Sequence, residues 1–399
     1  MNIFKKVYCR IYQSMFRMML PMLPYREPSV IHDAKDMASV LTEKGVDCAM
    51  LVTDEGIKSL GLYRDVEREL KKVGIRLKTF SGVVPNPTTQ NVEDCVKIYN
   101  KNNCQAIIAF GGGSPMDCAK ALGARISNPK KTLSQMKGLL KVTKRLPLLI
   151  AVPTTAGTGS ETTLAAVITD SKSRHKYVIN DFDLIPRYAM LDPELTVGLP
   201  PHITATTGMD ALTHAVEAYI GQSTTKETRT RAKQAVKLIM NNLLVAYHDG
   251  KDISARENML RASYYAGVAF TKSYVGYVHA IAHSLGGKYN IAHGYANAVI
   301  LPYVLRSYGN KIYKKLYQLG LYAELFDENA TIEEGAYKFI KAIEDMNRTM
   351  GIDDKIEGIE IYDIPELAKT AEKEANPLYP VPVLYSAKEL EKIYYDIRK

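Results

Sequence analysis

The chain has 399 residues, with 52 Lys and Arg against 43 Asp and Glu and a formal net charge of +9. That length exceeds the ~250–300 residues at which one hydrophobic core stops growing, so two domains are expected. Apolar residues at 46% and charged residues at 24%, with no low-complexity tract, exclude a disordered or fibrous chain, and no Lys/Arg cluster interleaved with aromatics speaks for nucleic acid.

Residues 1–27 come first. Lys5, Lys6 and Arg10 precede the apolar stretch 18–23, but Arg17 and Pro21 interrupt it and no small-residue cleavage site follows, so a secretory signal is not expected. Ile3, Phe4, Val7, Tyr8, Ile11 and Met15 recur at helical spacing and predict a helix or strap packed on the body, with a docking helix for a partner as the alternative. The five cysteines Cys9, Cys48, Cys95, Cys104 and Cys118 are odd in number and contain no Cys-x-x-Cys pair, the pattern of a reduced, cytoplasmic protein. No run approaches the ~18 apolar residues of a membrane span.

From residue 28 to 200, short β-branched runs (48–53, 77–80, 106–110, 146–152 and 177–179) alternate with helical patterns such as 91–101 and 116–122. Such alternation predicts an α/β domain with a mostly parallel sheet, whose ligands sit at the carboxyl ends of the strands. The first candidate lip is the turn Gly111-Gly112-Gly113-Ser114-Pro115, where glycines allow a close backbone approach, Ser114 is expected to cap the following helix and Pro115 to open it. The helix N-terminus then suits a phosphate, and Asp117 is placed to cap backbone N–H groups or to accept from a ribose hydroxyl. Thr154, Thr155 and Thr158, in the loop after the strand 146–152, form a second lip. Asp54, ending the strand 48–53, is placed to accept both hydroxyls of an adenosine ribose and to repel a 2′-phosphate, which favours NAD over NADP.

The loop 192–201, with Pro193, Gly198, Pro200 and Pro201, marks the boundary, and the remainder (201–399) reads as all-helical in stretches such as 226–247, 256–270 and 331–350. Asp210 and His214 are four apart, as are His279 and His283, and Gly286 and Gly287 are expected to end the second helix so that the chain returns to His293. On a helix, residues four apart share a face and can bind one ion. A set of oxygen and nitrogen donors without thiolate suits Fe(II) or Zn(II). Five candidates for one ion leave one with another task, and spacing does not choose between His279 and His283. A nucleotide site and an open metal site together imply hydride transfer between a nicotinamide and a small alcohol or aldehyde.

At these residues the chain resembles the iron-containing (group III) alcohol dehydrogenases, whose branches include lactaldehyde/propanediol oxidoreductases and butanol and 1,3-propanediol dehydrogenases. The resemblance runs from about residue 28 to the carboxyl end through Val83–Pro87, Gly111–Asp117, Pro153–Thr158, Ala205–His214 and Val278–Gly286. It implies a nucleotide-binding α/β domain, a helical metal-binding domain, a reacting centre in the cleft between them, and a homodimer or larger homo-oligomer. By motif it implies Asp210, His214, His279 and His293 as metal ligands and His283 near substrate and nicotinamide. It also implies Asp54, Asn86, Gly113, Ser114, Thr154, Thr158, Val167 and Lys176 at the nucleotide and Phe270 near the substrate pocket. Where members commonly have Pro-His-Gly at the last ligand, this chain has Ala292-His293-Gly294. Rivals of the same fold are glycerol dehydrogenase and dehydroquinate synthase types; a rival of another class is an inactive partner-binding scaffold.

Overall fold

The computed structural model describes residues 1–399. They form two compact units, Pro24–Val197 and, together with Met1–Leu23, Gly198–Lys399.

The unit Pro24–Val197 is built on a six-stranded sheet. Its order is Ser29–Ile31, Tyr188–Met190, Leu148–Pro153, Ala106–Gly111, Cys48–Val52, Arg76–Phe80, with every neighbouring pair parallel. Cys48–Val52 and Ala106–Gly111 are buried along their whole length, as unbroken apolar runs should be when helices cover both faces. The two-residue pleat divides them between two cores. Cys48, Met50 and Val52 pack with Val92, Cys95, Met116 and Leu122, whereas Ala49 and Leu51 pack with Met37, Leu41, Val66 and Leu70 on the other face. The strand predicted over 146–152 starts at Leu148 instead, because Pro147 has no N–H to offer the ladder. A small second sheet pairs Lys176–Asn180 with Gly138–Leu139 in parallel and with Ala165–Thr169 antiparallel.

The second unit is helical, with Pro201–Ile220, Lys226–His248, Ile253–Ser273, Tyr277–Tyr289 and His293–Tyr308 as its first five long helices after the boundary. Close crossing of the first two depends on Gly208, where an added Cβ would lie 2.3 Å from Leu243 Cδ1. The expected stop at Gly286-Gly287 is corrected: the helix runs on to Tyr289 and ends at Asn290, whose φ of 56° is left-handed. An asparagine tolerates that conformation, so it takes over the role assigned to the glycines.

The N-terminal segment forms the helix Ile3–Met19, capped by Asn2, but its orientation reverses the expected packing. Cys9 and Gln13 are its buried residues, Gln13 Nε2 donates to Tyr379 O at 2.7 Å, and Arg10 donates to the carbonyls of Val381 and Pro382. The surface beneath offers carbonyl oxygens and the carboxylate of Glu372, which pairs with Lys5, so the polar side of the helix docks and Ile3, Phe4, Val7, Tyr8, Ile11 and Met15 face outward.

Candidate active site

In the unit Pro24–Val197, Gly111 takes a φ of 142°, and a Cβ there would meet Pro115 Cγ at 2.7 Å. Only glycine fits this turn. The helix it feeds, Gly113–Ser127, is capped by Gly112 with no side-chain bond. Ser114 therefore lies in the first turn and not at the cap, and Pro115 does not open the helix; the bare cap leaves that N-terminus without a side-chain acceptor of its own. The threonine loop is the facing lip: a Cβ on Gly112 would be 3.7 Å from Thr155 Oγ1 and one on Gly113 3.5 Å from Thr158 Cγ2. Thr154 N donates to Gly111 O at 3.2 Å, tying the two loops together.

Asp117 does not cap its helix. Its carboxylate accepts from Val167 N at 3.2 Å and Ser160 Oγ at 3.4 Å, and it senses the charges of Lys120 and Lys176. Burial pushes its pKa up. Lys120, buried on the same helix, donates to Ser160 Oγ, to Thr163 Oγ1 and O and to Ala165 O. These two charges pin the hairpin that carries Val167 and Lys176. Sequence reading missed Lys120; its signal was a lone lysine in the apolar run 118–122. Asn86 takes a φ of 58° just before Pro87, whose carbonyl accepts from Thr169 N at the end of that hairpin's first strand. Asp54 caps the short helix Glu55–Leu60, with Oδ1 accepting from Ile57 N at 2.9 Å. It shares the carboxyl edge of the sheet with the glycine turn, since Cys48–Val52 pairs with Ala106–Gly111.

In the helical unit, Asp210, His214, His279 and His293 each bring one donor atom within 4.8 Å of the others. Asp210 Oδ1 lies 3.4 Å from His293 Nε2, 3.8 Å from His279 Nε2 and 4.0 Å from His214 Nδ1. His214 is held flat between Phe270, at 4.1 Å between ring centroids, and His279, at 4.5 Å. Burial and the neighbouring His214, His293 and His283 hold the His279 pKa well below its ordinary value, which keeps the ring neutral and able to ligate.

Three residues that sequence reading missed complete this centre. Glu217, one turn beyond His214, is buried; its Oε2 lies 2.6 Å from His279 Nδ1 and accepts from Gly276 N, and its Oε1 accepts from Val278 N, each at 2.8 Å. Burial pushes its pKa up to about 7, against the pull of the backbone N–H groups of Gly276, Val278 and His279. The carboxylate fixes the His279 tautomer so that Nε2 keeps its lone pair toward Asp210. Asn297 Nδ2 donates to Asp210 Oδ1 at 2.7 Å and lies 3.3 Å from His279 Nε2 and 3.1 Å from His293 Nε2. An amide has two hydrogens for these three acceptors, while its own Oδ1 is buried without a partner. Acceptors in excess over donors in a buried pocket fit a cation. Glu374 Oε1 lies 2.6 Å from His283 Nδ1 and accepts from Tyr379 OH. The signal for Glu217 was its spacing, three residues after His214 on one helix.

His283 stands apart from the four. It is half-exposed, its ring stacks on His293 at 5.1 Å, and it lies 5.9 Å from His279. Burial opposes its charge, yet Glu374 raises its pKa overall. The approach of His293 to Asp210 depends on Gly294, because a Cβ there would meet Thr206 O at 2.4 Å. Gly294→Ala is expected to destabilise the protein by about 1–3 kcal/mol and to weaken metal binding. Melting temperature and metal content of the purified variant check this, and a normal value for both would contradict it.

A family model for the iron-containing alcohol dehydrogenases matches residues 30–193, and one for the C-terminal part of the Fe-containing alcohol dehydrogenase family matches residues 204–397. The 1,3-propanediol dehydrogenase of Klebsiella pneumoniae is 39% identical over 366 residues, covering 89% of this chain and 94% of its own. The NAD-dependent methanol dehydrogenase of Bacillus methanolicus is 38% identical over 342 residues, covering 84% and 89%. A crystal structure of a 1,3-propanediol oxidoreductase superimposes with a TM-score of 0.88 at 35% identity, covering 93% of this chain and 97% of that one.

Proposed function

The chain belongs to the iron-containing alcohol dehydrogenase family, oxidoreductases acting on CH–OH groups, and on that premise we propose that it interconverts a small primary alcohol or diol and its aldehyde with NAD(H). The observation that carries the reading is the convergence of Asp210, His214, His279 and His293 within 4.8 Å. The donor excess around Asn297 supports the same conclusion.

In this reading those four residues hold Fe(II) or Zn(II), and a divalent ion so held supplies Lewis acidity toward the substrate oxygen. The protein's own groups do the rest. Glu217 orients His279, and Asn297 orients Asp210. Phe270 stacks on the His214 ring and, in this reading, borders the substrate pocket. His283, half-exposed and steered by Glu374, takes the hydroxyl proton to solvent on oxidation and returns it on reduction. In the other unit the turn Gly111–Ser114 and Thr154, Thr155 and Thr158 cradle the pyrophosphate, and Asn86, Asp117, Val167 and Lys176 line the rest of the nucleotide site. Asp54 accepts from the adenosine ribose.

The aspartate sets the cofactor preference by repelling a 2′-phosphate. Asp54→Gly is expected to raise kcat/KM with NADP by roughly tenfold, the scale of one removed charge repulsion in a partly exposed site. Steady-state kinetics with both cofactors check it, and an unchanged preference would remove Asp54 from the role. The reading as a whole is tested by elemental analysis of the purified protein joined to a panel of short diols, primary alcohols and aldehydes with NAD and NADP. Turnover of a phosphate-bearing cyclic precursor with no net NADH change, beside inertness toward every alcohol, would favour the dehydroquinate synthase type instead.

A further inference from the structure

The helix Ile3–Met19 lies outside both family matches, and its amphipathicity is inverted relative to the body. Its polar and basic side faces its own chain: Gln13 is buried, Arg10 donates to Val381 O and Pro382 O, and Lys5 pairs with Glu372. The outward half of its circumference is apolar, with Phe4 83% exposed, Met18 70% exposed and Met22, just beyond the helix, 84% exposed. Val7, Ile11 and Met15 fill the strip between them and are exposed as well. A contiguous apolar strip of this kind on a soluble protein marks a binding surface.

Charge decides what covers it. Residues 1–26 contain no Asp or Glu, and of their cations Lys5, Arg10 and Arg26 are engaged with Glu372 and with backbone carbonyls, which leaves Lys6 and Arg17 at the surface of the helix. Beside the helix, Val7, Ile11, Met15, Met18 and Pro382 line a groove of about 670 Å3 whose charged lining residues are Lys6, Arg10 and Lys311, all positive. A second copy of the chain would bring two cationic, acid-free helices face to face. An anionic surface with an apolar interior complements both features: acyl chains take the Phe, Ile and Met side chains, and phosphates take Lys6, Arg17 and Lys311. No helix of the protein is long and apolar enough to cross a membrane, so the contact is with the surface. We propose that the helix Ile3–Met19 seats the protein flat on an anionic phospholipid bilayer, independently of the reaction assigned above.

Flotation of the full chain with vesicles of phosphatidylglycerol and phosphatidylcholine, and with vesicles of phosphatidylcholine alone, tests this. The unaltered protein is expected to float with the anionic vesicles and to stay in solution with the neutral ones. Phe4→Asp and Ile11→Asp are each expected to reduce the bound fraction roughly tenfold, and the pair Lys6→Glu with Arg17→Glu similarly, with melting temperature and activity in buffer unchanged. Failure of the unaltered protein to float, or binding indifferent to Ile11→Asp, overturns the proposal. So does a concentration-dependent self-association that Ile11→Asp abolishes without any vesicle binding, since a second copy would then be what covers the strip.

Discussion

His279→Ala is expected to lose bound metal and activity together, with metal affinity falling by at least ~100-fold, beyond the range seen when only a supporting residue is removed. The reason lies in how fully this ring is committed. Its Nδ1 is held by Glu217, its Nε2 faces Asp210 and Asn297, its face stacks on His214, and it is buried. Truncation removes one of four converging donors and also leaves the Glu217 carboxylate buried beside a cavity. Glu217→Gln separates these effects. It keeps volume and hydrogen bonding in part but sets an amide among three N–H donors, so metal affinity is expected to drop about 10–100-fold while the ligand remains. Metal content after dialysis against a graded chelator measures both variants. Full retention in His279→Ala would remove this residue from the ligand set.

His283→Ala is expected to keep its metal and lose turnover by roughly 100-fold or more. His283 lies outside the group of four converging donors, is half-exposed as His293 is, and has its Nδ1 held by Glu374. Its position suits a group that exchanges protons with solvent. The paired measurement is metal content beside kcat: equal metal loss in His279→Ala and His283→Ala would refute the division of labour between them. Glu374→Gln is expected to lower kcat less than His283→Ala does, because the imidazole survives and loses only the partner that orients it.

Much of the architecture was legible because the signals are local. The buried strands Cys48–Val52 and Ala106–Gly111 read as unbroken apolar runs, and of the other three predicted segments 77–80 and 177–179 correspond to the partly buried strands Arg76–Phe80 and Lys176–Asn180. Errors fell where one residue type offers competing uses. Ser114 is a good cap, but the turn needed Gly112 there, and Gly286 and Gly287 resemble a helix stop yet sit within a helix that Asn290 ends. Asp117 resembled a cap, and its bonds to Val167 and Ser160 instead make it a pin for a hairpin 50 residues away in sequence.

By itself the sequence determined the pairs that one helix turn brings together, Asp210 with His214 and His279 with His283, and the glycine turn that only an absent Cβ allows, because these depend on backbone period and local sterics. Tertiary structure alone decided which histidine joins the aspartate. That choice depends on the rotation of the helix Tyr277–Tyr289 against Pro201–Ile220, and Glu217 sets it by holding Gly276, Val278 and His279 at once. It likewise decided which way the helix Ile3–Met19 faces. Periodicity tells which residues share a side, but the direction of that side is fixed by the surface beneath, and here carbonyls at 379–382 and Glu372 drew the polar side inward.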